Sequence, residues 1–203
     1  MFFLIIYDHS SLVIDTLCDE AGESGEDNVV ACFYFDSAAQ MEQSAMSVLR
    51  ALLKQVVSSL EKIPKEITDA FRRRKKFIGG RELQLSEIVK MLGSLSSTQP
   101  TFLCLDALDK CAVPDRAKVL LSLRDIIKIS PTIRVFLTGR PYIGHEVGKH
   151  FPEGTALVSI SPPNDDIIRY IQTKLAEGTG SGEMDVKLEA EIVEKIPEAA
   201  SEM

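Results

Sequence analysis

Two apolar runs in this chain end in residues suited to holding a metal ion or a phosphate. Thr101-Phe102-Leu103-Cys104-Leu105 leads into Asp106, and Ile133-Arg134-Val135-Phe136-Leu137 leads into Thr138-Gly139-Arg140-Pro141. A parallel strand delivers its last side chain to the carboxyl edge of its sheet, where open α/β folds bind ligands. A carboxylate there suits Mg²⁺, and an arginine there suits a phosphate through its rigid fork of donors. Asp106 is the metal candidate, and Arg140 is the phosphate-binding candidate. Each has a plainer role as well: an Asp at a strand end caps the next turn, and an Arg pairs with a nearby carboxylate. Thr138 either orients water at this edge or serves its strand through β-propensity.

A nucleotide site needs a third part that the sequence lacks. A phosphate loop, G-x-x-x-x-G-K-[ST], wraps backbone N–H groups round the phosphates, reaches them with its Lys and places a hydroxyl on Mg²⁺. None of the 203 residues form such a segment. Gly178-Thr179-Gly180-Ser181-Gly182 follows a helix pattern and carries no Lys, which makes it a flexible connection. Arg72-Arg73-Arg74-Lys75-Lys76 reads as a solvated, basic helix end.

The elements that position these residues alternate along the chain. Ser10 to Cys18 reads as a helix and Asn28 to Asp36 as a strand buried on both faces. Helical spacing spans Gln40 to Leu60 and is closed by Pro64. Further helices are expected over Ile67 to Phe77, Leu83 to Leu95 and Asp115 to Ile129, with strands at Thr101–Asp106, Ile133–Thr138 and Ala156–Ile160. Asn164 opens a helix to about Ala176, and a last one covers Met184 to Ile196. Such alternation implies an α/β fold: a mainly parallel sheet with right-handed crossovers and helices on both faces.

Composition narrows the function. With 45% apolar and 26% charged residues the chain is globular. A net charge of −7 opposes nucleic-acid binding, which draws on clustered cations. Cys18, Cys32, Cys104 and Cys111 contain no C-x-x-C pair, and His9, His145 and His150 show no ligand spacing to them. Buried free thiols in a reducing, cytoplasmic compartment are expected. The run Met1 to Tyr7 is too short for a membrane span and has no basic flank, so it reads as core.

Leu103-Cys104-Leu105-Asp106-Ala107-Leu108-Asp109-Lys110-Cys111 resembles the extended Walker B pattern of NACHT-type signal-transduction NTPases. The likeness is to fungal incompatibility proteins and the related nephrocystin 3-like N-terminal domain in particular. Ser10 to Asp15 is similar to the helix after their phosphate loop, Phe33 to Asp36 to their second strand, and Phe136 to Pro141 to their sensor strand. Val48 to Gln55 and Asp165 to Ile171 resemble their later helices, so the likeness runs from residue 10 to about 197. It implies a three-layer P-loop NTPase-like core over 1–160 and the start of a helical subdomain over 161–203, truncated at both ends.

The resemblance also implies roles: Asp106 as Mg²⁺ acid, Asp109 as second, catalytic acid, and Arg140 with Thr138 as nucleotide-binding residues. Intact relatives use Mg-ATP or Mg-GTP in a nucleotide-gated switch with effector and repeat domains. Two departures oppose that activity here. Lys110 stands where the family has Glu, and a lysine protonated at pH 7 is no base. Leu4 to Tyr7 fill the positions of the phosphate loop. No cofactor is therefore expected, and hydrolysis is not expected. Three readings follow: a nucleotide-dependent switch, a nucleotide-independent module that binds protein partners including intact relatives, or a gene-model or pseudogene fragment without activity. Phe2 to Ile6 is expected to fill the central slot of the sheet as a parallel strand, with one long helix through Cys18 as the alternative. Neither nucleic acid nor membrane is expected as a partner.

Overall fold

The computed structural model describes residues 2–6, 10–23, 28–65, 67–69, 72, 83–97, 99–151, 155–159, 163–178 and 185–201. The chain divides into two units, Met1–Ser159 and Ile160–Met203. In the first, the apolar runs form one parallel five-stranded sheet of β1 (Phe2–Ile6), β2 (Val29–Tyr34), β3 (Thr101–Asp106), β4 (Ile133–Thr138) and β5 (Thr155–Ser159). Their order is β2-β3-β4-β1-β5. Phe2 lies opposite both Val135 and Thr155, so β1 fills the central slot, as the strand version of the expectation required.

Among the described residues, helices that accompany the sheet include α1 (Ser10–Glu23), α2 (Ala45–Ser58), α3 (Leu85–Ser96), α4 (Val113–Ile129) and the short α5 (Gly144–His150). Period-two geometry sorts the strand residues between two layers. Val29, Ala31, Leu103, Leu105, Val135 and Leu137 point into the larger core, against leucines and isoleucines of α2, α3 and α4. Their alternates Cys104 and Phe136 join Ile14 of α1 in a smaller core, with Val30, Cys32 and Phe102 packed against it. Helices thus cover both faces.

Local chemistry sets the helix bounds. The helix expected from Gln40 begins only at Ala45, because Ser44 caps it by accepting the Ser47 N–H at 3.2 Å. Before it, Asp36 caps a 3-10 turn at Ser37–Ala39, accepting the Ala38 N–H at 2.9 Å. Gln84 and Glu87 form a capping box on α3. Pro114 sits in the first turn of α4, where its missing N–H costs nothing, so that helix starts at Val113 rather than Asp115. Gly93 lets α3 and α4 meet: a Cβ there would come 2.6 Å from the Ile129 side chain.

The free edge of the sheet at β2 carries a local device. Val29 and Phe35 donate their N–H groups towards β3, so Val30, Cys32 and Tyr34 present theirs to the open side. There the Gln55 carboxamide of α2 accepts the Cys32 N–H at 2.9 Å and donates to the Cys32 carbonyl at 2.8 Å, as a neighbouring strand would.

The second unit contains α6 (Asn164–Gly178) and α7 (Val186–Ser201), which contact each other. α7 runs through Pro197, beyond the expected stop at Ile196. The expected helix Ile67 to Phe77 lies mostly outside the described residues, although 67–69 and 72 are helical. The basic run beyond Arg72 and the link 179–184 also lie outside them. Among the described residues, no helix is long and apolar enough to cross a membrane.

Candidate functional site

Adjacent parallel strands of equal register bring Asp106 and Thr138 to one edge, since Leu105 pairs with Leu137. The buried Thr138 hydroxyl donates to Asp106 Oδ1 and accepts the Ala107 N–H at 2.9 Å. Ala107 sits in the left-handed region, at φ 54° and ψ 45°, a conformation unfavourable for a residue with a Cβ. That reversal sends the chain into a 3-10 turn, Leu108–Lys110, which carries Asp109 back over the end of β4.

Asp109 is engaged on both oxygens. Its Oδ1 accepts the Arg140 N–H at 3.3 Å, and its Oδ2 lies 3.7 Å from Arg140 Nε. The Asp109 side chain is 9% exposed and that of Arg140 71%, so the carboxylate faces inward while the guanidinium reaches into solvent. Gly139 is required between them, as a Cβ would stand 2.5 Å from Ile143 Cδ1 and 3.3 Å from Asp109 Oδ1.

The turn is braced from three sides. Buried Arg116 of α4 donates through Nη1 to the Cys111 carbonyl at 3.1 Å and to the Asp109 carbonyl at 3.4 Å, while its Nε donates to Glu146 of α5 at 2.8 Å. Gln40 donates to the Lys110 carbonyl at 2.8 Å, and the Tyr142 hydroxyl lies 3.5 Å from the Asp109 carbonyl. Beside the turn, burial and then Asp115 push the Cys111 thiol up to about 11. Burial, then Cys32 and Asp106, also raises the Tyr34 phenol at the end of β2.

What remains open is a cleft of about 280 Å³ lined chiefly by Asp106, Asp109, Lys110, Thr138, Gly139 and Arg140. The structure therefore gathers all four candidate residues at one place. It links them in pairs: Thr138 to Asp106, and Arg140 to Asp109, the plainer of the two roles weighed for the arginine. Arg116, Glu146, Gln40 and Tyr142 carried no sequence signal, because a brace on a distant carbonyl follows from tertiary geometry alone.

β1 ends at Ile6 and α1 begins at Ser10, leaving Tyr7-Asp8-His9 where a phosphate loop needs several glycines and a Lys. Asp106 shares its carboxylate with a hydroxyl, and Asp109 turns both oxygens to Arg140. Among the described residues, no group of three or more His, Cys, Asp or Glu converges to hold a metal ion.

A parallel sheet of this strand order, covered by helices on both faces and with an acid ending β3, defines a P-loop NTPase-like core. The fold is shared with Drosophila ORC bound to DNA, at TM-score 0.51 and 12% identity over 87% of this chain and 41% of that one. A Walker-type ATPase of Pyrococcus abyssi matches at TM-score 0.44 and 14% identity, over 98% of this chain and 60% of that one. The Aeropyrum pernix ORC1 protein in complex with DNA matches at TM-score 0.46 and 14% identity, over 86% and 43%. The chain thus spans less than two thirds of each of these structures. Residues 9–140, well over half of the chain, match the family described as Nephrocystin 3, N-terminal, and the chain belongs to that family. The match stops at Arg140, short of the residue 197 expected from the sequence. No curated protein matches.

Proposed function

We propose that this chain is a NACHT-like, STAND-class signalling core of the fungal, NLR-like, repeat-containing kind, with a degenerate nucleotide site, and that it acts through protein contacts rather than hydrolysis. The observation that carries the reading is the junction of β1 and α1. The strand lies inside the sheet between β4 and β5, yet only Tyr7-Asp8-His9 connect it to the helix, with no glycine or lysine to cradle a phosphate. A triphosphate docked at this edge would lose hydration without gaining backbone donors in return. Asp109 turns both oxygens to Arg140, and Lys110 stands where the resembled family has its second acid. On this reading the chain needs no cofactor, resides in the cytoplasm, and has protein partners that include intact relatives. Its charge of −7 sets it apart from nucleic acid.

Calorimetry tests it. ATP, ADP and GTP with Mg²⁺ are expected to bind with Kd weaker than about 1 mM. Micromolar binding overturns the degenerate-site reading.

The juxtaposition of Asp106 and Thr138 beside the exposed Arg140 favours a second reading, in which the edge is a nucleotide site lacking one part. Asp106 then holds Mg²⁺, Arg140 reads the terminal phosphate and Asp109 serves as the second acid. A G-x-x-x-x-G-K-T segment grafted with its strand ahead of Ser10 should then restore binding, and Asp106→Ala in the graft should weaken it. Turnover should stay slow in that graft until Lys110→Glu supplies the absent acid.

A further inference from the structure

The carboxyl edge of the sheet turns its acids inward and its cations outward. Asp109 gives both oxygens to Arg140 and is 9% exposed, and Asp106 accepts the Thr138 hydroxyl. The Arg140 side chain, by contrast, is 71% exposed, and Lys110 is exposed as well. Among the described residues, Arg140 meets Asp109 through Nε and its backbone N–H, which leaves the two terminal guanidinium nitrogens for a second carboxylate. Elsewhere, exposed cations such as Lys128, Lys174 and Lys195 pair with carboxylates that are themselves exposed, so their charge is balanced at the surface. At this edge it is not.

Large exposed side chains surround the same cleft. Tyr142 is 63% exposed, with its hydroxyl 3.5 Å from the Asp109 carbonyl. Met41 is 95% exposed and follows Gln40, whose carboxamide donates to the Lys110 carbonyl at 2.8 Å. Tyr34, 47% exposed, ends β2 directly opposite Asp106. Tyrosine, methionine and arginine are the types enriched where proteins meet, and tyrosine and arginine carry much of the binding energy there. The turn between them is already braced by Arg116 and Gln40, so docking on it costs little ordering. Tyr34 and the end of β4 stand two strand spacings apart, about 10 Å, which about three residues of extended peptide span.

Building on the reading that the chain acts through protein contacts, we propose that this rim docks an acidic segment of a partner protein. A carboxylate of the partner sits on Arg140 and Lys110, and an apolar side chain about three residues away lies against Tyr34. The guanidinium fork fixes the register of the carboxylate, while Lys110 adds a point charge. Tyr142 and Met41 flank the contact and exclude water from it. In a chain of net charge −7, two outward cations without exposed counter-charge are a local exception, so the rim selects an acidic segment that the molecule as a whole repels.

The experiment pans random short peptides, displayed on phage, against the full chain; the selected peptides are then labelled and titrated by fluorescence anisotropy. Enriched peptides are expected to carry Asp or Glu beside a large apolar residue and to bind less well as salt rises. Arg140→Glu should weaken them by about tenfold or more and Tyr142→Ala by several-fold. Arg140→Lys should fall between wild type and Arg140→Glu, because it keeps the charge and loses the fork. Arg72→Glu, at an exposed position away from the cleft, should leave binding unchanged. No enrichment, enrichment of peptides without acids, equal binding to Arg140→Glu, or loss of binding in Arg72→Glu alone would each overturn the proposal. Calorimetry with Mg-ATP reads the degenerate site and these peptides read the docking rim, so the two readings fail separately.

Discussion

The Thr138 hydroxyl accepts from the Ala107 N–H and donates to Asp106, so removing it strands two groups at once. Thr138→Val keeps the shape and is expected to lower stability by about 1–3 kcal/mol, the cost of unsatisfied buried groups. Thr138→Ser should recover most of that loss in urea unfolding. Ala107→Gly should act in the opposite direction. It relieves a left-handed φ of 54°, offset in part by glycine's greater freedom when unfolded, for a net gain of up to about 1 kcal/mol. A loss of stability on that substitution would show that the Ala107 methyl packs more than it strains. The acid and the threonine were legible because strand ends advertise an edge. The pairing of Asp109 with Arg140 was not, because it depends on a turn whose shape is set by Arg116, Glu146 and Gln40, all distant in sequence.

At the scale of elements, the α3–α4 contact is the most sensitive to a single atom. Gly93→Ala places a methyl 2.6 Å from the Ile129 side chain and is expected to cost about 1–3 kcal/mol by overpacking. Ile129→Ala in the same chain should return part of it, and a double-mutant cycle in urea reads the coupling. Two strands, Thr101–Asp106 and Ile133–Thr138, were readable to the residue, since a continuous apolar run bounded by polar residues fixes both ends. Helix ends were less legible. Ser37, Ser44 and Gln40 offer competing starts for α2, and only the hydrogen bond from Ser47 to Ser44 decides among them. The last helix, expected over Met184 to Ile196, runs over Val186–Ser201 and continues past Pro197, although an internal proline removes a helix hydrogen bond.

For the whole molecule, pH acts through buried thiols. Cys104 and Cys111 hold their protons to about 12 and 11 in the folded state, against 9.0 for an ordinary thiol. The folded chain therefore binds these protons more tightly than the unfolded one, and stability rises with that affinity only while both thiols stay protonated. The contribution is complete below pH 9 and is lost as pH climbs through 11 to 12. Urea midpoints should fall from pH 9 to pH 11 and fall less in the Cys104→Ala, Cys111→Ala double variant; parallel curves for the two proteins would contradict this. Sheet order has a different consequence, one of timing. β1 pairs with Val135–Thr138 and Thr155–Ser159, so a ribosome adding about 5–20 residues per second exposes Phe2-Phe3-Leu4-Ile5-Ile6 for on the order of ten seconds before either neighbour is made. Throughout that interval the nascent chain carries an unpaired apolar strand, a substrate for chaperones, and slower translation between β1 and β4 lengthens their opportunity.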